Sequence, residues 1–208
     1  MIAYLRDPAA IYARSFELIR AEADLSRIPE SAHAIAIRII HACGMVDIVD
    51  DLIISEDFAN AANKALKAGA PILVDAEMVR YGIMAKQLPD ANEIICTLND
   101  PHAREIGLAN AITRSAAATA LWRPHLNGAI VVIGNAPTAL FALLEMLDQG
   151  APKPAVIAGF PVGFVGAAES KAELAKNSRG IPFATIKGRK GGSAMASSVI
   201  NAMTSEQA

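Results

Sequence analysis

Four histidines, His33, His41, His102 and His125, are the side chains best suited to move a proton near neutral pH. None has the spacing of a metal-ligand pair. His33 and His41 are eight residues apart, which on a helix leaves them roughly 80° from each other. His41 is the one in an unusual place. It follows Ile39 and Ile40 and precedes Ala42, Cys43 and Gly44, in the last turn of an apolar helix whose end favours a protonated imidazole. The other three are expected to be surface or satisfied core residues. The acids Asp50 and Asp51, and Glu77 after Asp75, suit acid–base work, but also solvated faces or caps. GxSxG, GxxxxGK[ST] and GxGxxG are all absent, which sets aside a serine hydrolase elbow, a phosphate-binding P-loop and a dinucleotide fingerprint.

Cations and glycines mark where an anion would sit. Thr113-Arg114-Ser115 opens an alanine-rich helix with a capping hydroxyl and a guanidinium in its first turn, where a cation opposes the helix dipole. Arg114 therefore calls for either a bound anion or an ion pair with a neighbouring carboxylate. Lys187-Gly188-Arg189-Lys190-Gly191-Gly192-Ser193 offers three cations, free N–H groups and a capping serine, and Gly134-Asn135-Ala136-Pro137-Thr138 offers a cap and a proline suited to a first turn. Both also fit ordinary strand-to-helix turns. Pro161-Val162-Gly163-Phe164-Val165-Gly166 is an apolar loop, which is costly to expose unless a flat ligand, a second subunit or its own domain covers it.

These residues need elements to hold them. Helical spacing covers Ile11 to Leu25, Ser31 to Cys43 with Gly44 as its left-handed terminator, and Asp57 to Lys67. Short apolar runs follow at Pro71–Asp75, Glu93–Thr97, Ala129–Ile133, Ala155–Ala158 and Phe183–Ile186. Helical stretches alternate with them at Ala76–Met84, Pro101–Ala109, Thr113–Leu126, Thr138–Gln149, Glu169–Lys176 and Ser193–Met203. Strands that are apolar without alternation need cover on both faces, so the expected fold is a three-layer α/β/α sandwich around a mainly parallel sheet of about five strands. With 208 residues and no linker, the chain is expected to form one domain, residues 1–208, with the tail after Met203 fraying.

Composition narrows the partners. Hydrophobic residues make up 53% and aromatics only 5%, so Ala, Ile, Leu and Val must build the core. Nineteen Lys and Arg against 21 Asp and Glu leave a net charge of −2, too balanced for a general nucleic-acid or membrane-surface protein. The apolar stretches are interrupted well before the roughly 20 residues of a membrane span. Residues Met1 to Asp7 do not read as a signal peptide. Cys43 and Cys96 lack disulfide or zinc spacing and are expected as reduced core thiols in a cytoplasmic protein.

Several strings together resemble one family along nearly the whole chain, in order. They are Ser15-Phe16-Glu17-Leu18-Ile19, Ile40-His41-Ala42-Cys43-Gly44, Ala70 to Asp75 with Glu77-Met78, Thr113-Arg114-Ser115-Ala116, Ile133 to Leu140, Pro161 to Lys171, and Gly188-Arg189 with Gly191-Gly192-Ser193. The family is precorrin-8X methylmutase, or precorrin isomerase. Arg80-Tyr81 departs from its pattern. The resemblance implies a flavodoxin-like fold and a homodimer with a shared active site, working without cofactor or metal. It implies movement of a methyl group from C-11 to C-12 of a tetrapyrrole ring in cobalamin biosynthesis, with the metal-free precorrin-8X preferred as substrate. By the same resemblance His41 is the catalytic acid, and Ser15, Thr113, Arg114, Ser115 and Arg189 line the substrate.

The chemistry suits those residues. A methyl shift on a conjugated ring needs no nucleophile or redox group, only a proton added to the π-system in a fixed geometry, and an imidazole with an ordinary pKa of about 6.5 can supply it. A non-catalytic tetrapyrrole-binding or carrier protein would use the same loops, and a nucleotide-binding regulator is the third reading.

Overall fold

The computed structural model describes residues 2 and 4–204; the fraying expected after Met203 falls, beyond Thr204, outside them. Nine helices and six strands alternate among the described residues. They are α1 (Pro8–Glu22), α2 (His33–Cys43), β1 (Leu52–Ile54), α3 (Phe58–Lys67), β2 (Ile72–Val74), α4 (Glu77–Gly82), β3 (Ile94–Cys96), α5 (Pro101–Ala109), α6 (Arg114–Ala120), β4 (Ile130–Ile133), α7 (Pro137–Asp148), β5 (Val156–Gly159), α8 (Ala167–Lys176), β6 (Phe183–Ile186) and α9 (Ser193–Thr204).

One sheet runs β1-β6-β5-β4-β2-β3, with every pair parallel except β1 against β6. Numbered among themselves, the five parallel strands lie in the order 2-1-3-4-5. This is a doubly wound order, and its reversal falls between β2 and β4, where Val74 pairs with Val132. All five apolar runs of the sequence are strands. The sixth, β1, joins as an antiparallel edge, with Ile53 opposite Thr185. Three residues on the heels of Asp50-Asp51 are too few to show a period.

The parallel strands feed two cores. Ile72, Val74, Ile130, Val132, Val156, Ala158, Ala184 and Ile186 share one core with side chains of α1, α2, α3 and α9, while Leu73, Val131, Ile133 and Ile157 share the other with Trp122, α7 and Leu174 of α8. Each fully buried Ile, Leu or Val contributes about 1.5–3 kcal/mol, and burial on both faces explains why these runs do not alternate.

Local chemistry corrects several boundaries. Helix α1 starts three residues early because the Asp7 carboxylate accepts from Ala10 N at 2.6 Å and Pro8 takes the first turn. Helix α6 stops at Ala120, and a short 3-10 turn, Arg123–His125, carries Pro124, which has no N–H to continue the ladder. Helix α2 ends as its sequence implies. Gly44 adopts φ 69° and ψ 21° and returns its N–H to Ile40 O at 2.8 Å, which fixes His41 in the last turn.

Candidate active site

Helices α1 and α2 bring together two residues 26 positions apart: Ser15 Oγ lies 2.8 Å from His41 Nδ1. A serine hydroxyl donates to a bare Nδ1 and accepts from a protonated one, so the contact engages Nδ1 in either tautomer and leaves Nε2 as the other ring nitrogen. Tyr12 and Phe16, on the same face of α1 as Ser15, pack edge to face at 4.7 Å and both stand against the imidazole, with centroids 5.2 and 5.0 Å from it. The ring is half-buried. Burial first, and the Arg38 guanidinium second, push its pKa below the usual 6.5. Against the helix end, which favours the cation, desolvation wins.

From this end a row of contacts runs along the carboxyl edge of the sheet. Lys190 Nζ binds Asp47 at 3.1 Å and Asp51 at 3.6 Å, joining the loop after β6 to the turn after α2. Underneath, Lys171 of α8 is only 1% exposed and donates to the Lys190 carbonyl. Burial pushes its ammonium down to about 8, opposed by the charge of Asp51. Gly191 has φ +156°, and a Cβ there would stand 2.5 Å from Phe160 O and 2.6 Å from Pro161 O, so no side chain fits without moving backbone. Gly163 N donates to Arg189 O at 3.3 Å, Val162 N to Asn135 O at 3.4 Å, and Thr113 Oγ1 to Thr138 Oγ1 at 2.8 Å.

The predicted site residues thus share one edge without all meeting. Ser15 and His41 touch. Arg189 is exposed, with its guanidinium 5.1 Å from the Phe164 ring centroid. Thr113 caps α6 by accepting from Ala116 N at 3.2 Å, Arg114 beside it forms no ion pair among the described residues, and Ser115 is half-buried. The ion-pair explanation of Arg114 therefore fails. Of these three, Thr113 lines a hollow of about 290 Å³ between α6 and α7, at the far end of the row from His41. No hydrogen bond or ion pair of the described residues joins the two ends directly.

Two loop readings are corrected. The anion at the N-terminus of α7 is the chain's own. Asp75, at the end of β2, accepts from Gly134, Asn135 and Ala136 N–H at 2.8, 3.0 and 2.7 Å, so the crevice at the strand-order reversal is already filled by a carboxylate. Burial raises the Asp75 pKa against the pull of those three donors. Ser193, expected to cap, is instead the first residue of α9, and Lys190 is held by Asp47 and Asp51, leaving Lys187 and Arg189 as the exposed cations there. The apolar loop does not fold back on its own domain: Phe164 is 83% and Val165 88% exposed.

Sequence reasoning missed Tyr12, Phe16, Arg38 and Lys171. Lys171 had a signal, since Ala167, Ser170, Lys171 and Leu174 are buried at i, i+3, i+4 and i+7. Among the described residues no three His, Cys, Asp or Glu side chains gather as metal ligands, and no helix is long and apolar enough to cross a membrane.

Comparison with known proteins places the chain in a family. A family model for precorrin-8X methylmutase matches residues 10–206. A precorrin-8X methylmutase of Pseudomonas aeruginosa is 58% identical over 207 residues, 100% of both chains, and one of a Sinorhizobium species is 58% identical over 200 residues, covering 96% of this chain and 95% of the relative. The crystal structure of a precorrin-8X methylmutase from Thermus thermophilus superimposes with a TM-score of 0.85 at 36% identity, covering 94% of each chain.

Proposed function

The chain belongs to the precorrin-8X methylmutase family, isomerases of cobalamin biosynthesis, and on that premise we propose that His41 protonates the macrocycle. The observation that carries this reading is the 2.8 Å contact between Ser15 Oγ and His41 Nδ1: the hydroxyl accepts Nδ1–H of the imidazolium, so Nε2–H is the proton to give and the neutral ring keeps Nδ1–H. Proton addition makes the conjugated ring electron-poor, the methyl group moves with its bonding pair from C-11 to the adjacent C-12, and loss of a proton restores the neutral chromophore. No cofactor enters these steps.

Arg114 and Arg189, both exposed, would meet rim carboxylates, with Thr113 and Ser115 lining the ring edge. The relatives that are 58% identical carry the metal-free name, which supports precorrin-8X as the substrate. One sheet drawn from residues 52–186 supports a single domain. The separation of His41 from Thr113–Ser115 and the bare apolar loop at Phe164 and Val165 support a homodimer in which a broad ring is shared between copies. Free, half-buried Cys43 and Cys96 suit the cytoplasm.

His41→Ala tests the assignment, because isomerisation changes the absorption spectrum of the pigment. The variant should bind precorrin-8X and convert it about 10²–10⁴-fold more slowly. Conversion at the wild-type rate would remove His41 from the chemistry.

A further inference from the structure

Six consecutive residues of α2, Ile35 to Ile40, are buried, and one of them is a cation. Arg38 is 4% exposed. Its Nη1 is buried without a hydrogen-bond partner, and its Nη2 has only the Met84 sulfur, a weak acceptor, at 3.9 Å. No carboxylate among the described residues pairs with it. The guanidinium lies 5.2 Å from the Tyr12 ring centroid and 5.7 Å from that of Phe16, the two rings that also pack against His41. Arg38 and His41 are one helical turn apart and share an aromatic wall.

A buried charge without a counter-ion is among the costlier features a core can hold, and an apolar side chain of similar length would serve packing better. Arginine cannot relieve the cost by giving up its proton. We propose that Arg38 is a positioning residue for the isomerisation, acting through His41: its unpaired charge makes the imidazolium a readier proton donor, and the carboxylates of the bound macrocycle offset that charge so that the proton is loaded in the complex. The proposal rests on the reading of His41 as the acid.

The other groups around His41 leave Arg38 as the dominant charge. Helix α9 carries no ionisable side chain. Helix α1 brings Tyr12, the exposed pair Arg14–Glu17 at 2.8 Å, Arg20 and Glu22, and the 3-10 turn before α2 brings Glu30. Helix α2 itself adds His33, bonded to Ile28 O, and Cys43, whose thiol burial pushes up. The turn after α2 brings Asp47, Asp50 and Asp51, of which Asp47 and Asp51 are taken by Lys190. Of all these, Arg38 is the neighbour whose charge lowers the His41 pKa.

The test is an NMR titration of the His41 ring beside the pH profile of kcat/KM, in the full chain and in Arg38→Met and Arg38→Lys. Arg38→Met should move the His41 titration and the alkaline limb of the profile upward together by about half a pH unit, and lower the plateau rate about tenfold. Arg38→Lys should leave both limbs near the native position. A packing role would lower activity without moving either. An unmoved His41 titration in Arg38→Met, or a shift of equal size in Arg38→Lys, would overturn the proposal. If the titration moves and the rate profile stays, the coupling stands and His41 as the acid fails. Should Arg38→Met not fold, Arg38→Gln supplies the neutral side chain under the same expectation.

Discussion

At His41 two opposing demands meet in one ring. A lowered pKa makes the imidazolium a stronger acid, but leaves less of it charged in the empty site at neutral pH. The free-enzyme acid should therefore titrate below 6.5, and kcat/KM should fall as pH rises through that lowered value. In the complex, rim carboxylates favour the charged ring, so the limb of kcat should lie at higher pH than that of kcat/KM. Parallel profiles measured from pH 5 to 9 would show that substrate does not load the proton. Little of this was legible from spacing. Ser15 and His41 are 26 positions apart, and only the fold stacks α1 on α2; the resemblance pointed to each residue but left the partner of His41 open, while nothing in a run such as Ile35 to Ile40 says that its arginine is unpaired.

The loop between β6 and α9 is held from beneath by a buried ammonium, and that arrangement has a measurable cost. Lys171 titrates near 8 when folded and near 10.5 when unfolded. Between those values the unfolded chain keeps a proton that the folded one has released, so the unfolded state binds more protons and stability rises with pH across the window. Below pH 8 the full desolvation cost is present. Lys171→Met lacks the group. The unfolding free energy of the native chain should rise relative to that variant by about 1–3 kcal/mol between pH 8 and 10.5 in urea titrations, and a constant difference would mean that the ammonium is well solvated. At this scale the sequence was informative where one rule acts alone. Five apolar parallel strands and the Gly44 terminator could be read from residue type. Edge strand β1 could not, because pairing with β6 and not its own three residues makes it a strand. Nor could the partner of the α7 N-terminus, since Asp75 lies about 60 positions from the amides it accepts.

Across the whole molecule, the carboxyl edge places His41 at one end and Arg114 at the other, with Arg189 between them on a loop whose apolar neighbours Phe164 and Val165 are bare. A two-fold arrangement would set the Arg114 end of one copy opposite the His41 end of its partner, building two composite sites from four half-sites. This predicts complementation. His41→Ala and Arg114→Ala chains, each inactive at low substrate concentration, would on mixing and re-association give half mixed dimers, each with one intact site out of two. About a quarter of native activity should then return. If both residues serve the same copy, every site in a mixed dimer lacks one of them and no activity returns, so mixed dimers verified by mass and still inactive would place the whole site on a single chain. The exposed apolar loop gives an independent reading of the same geometry: Phe164→Asp should weaken association and reduce turnover together, because a composite site cannot survive separation of the copies that build it.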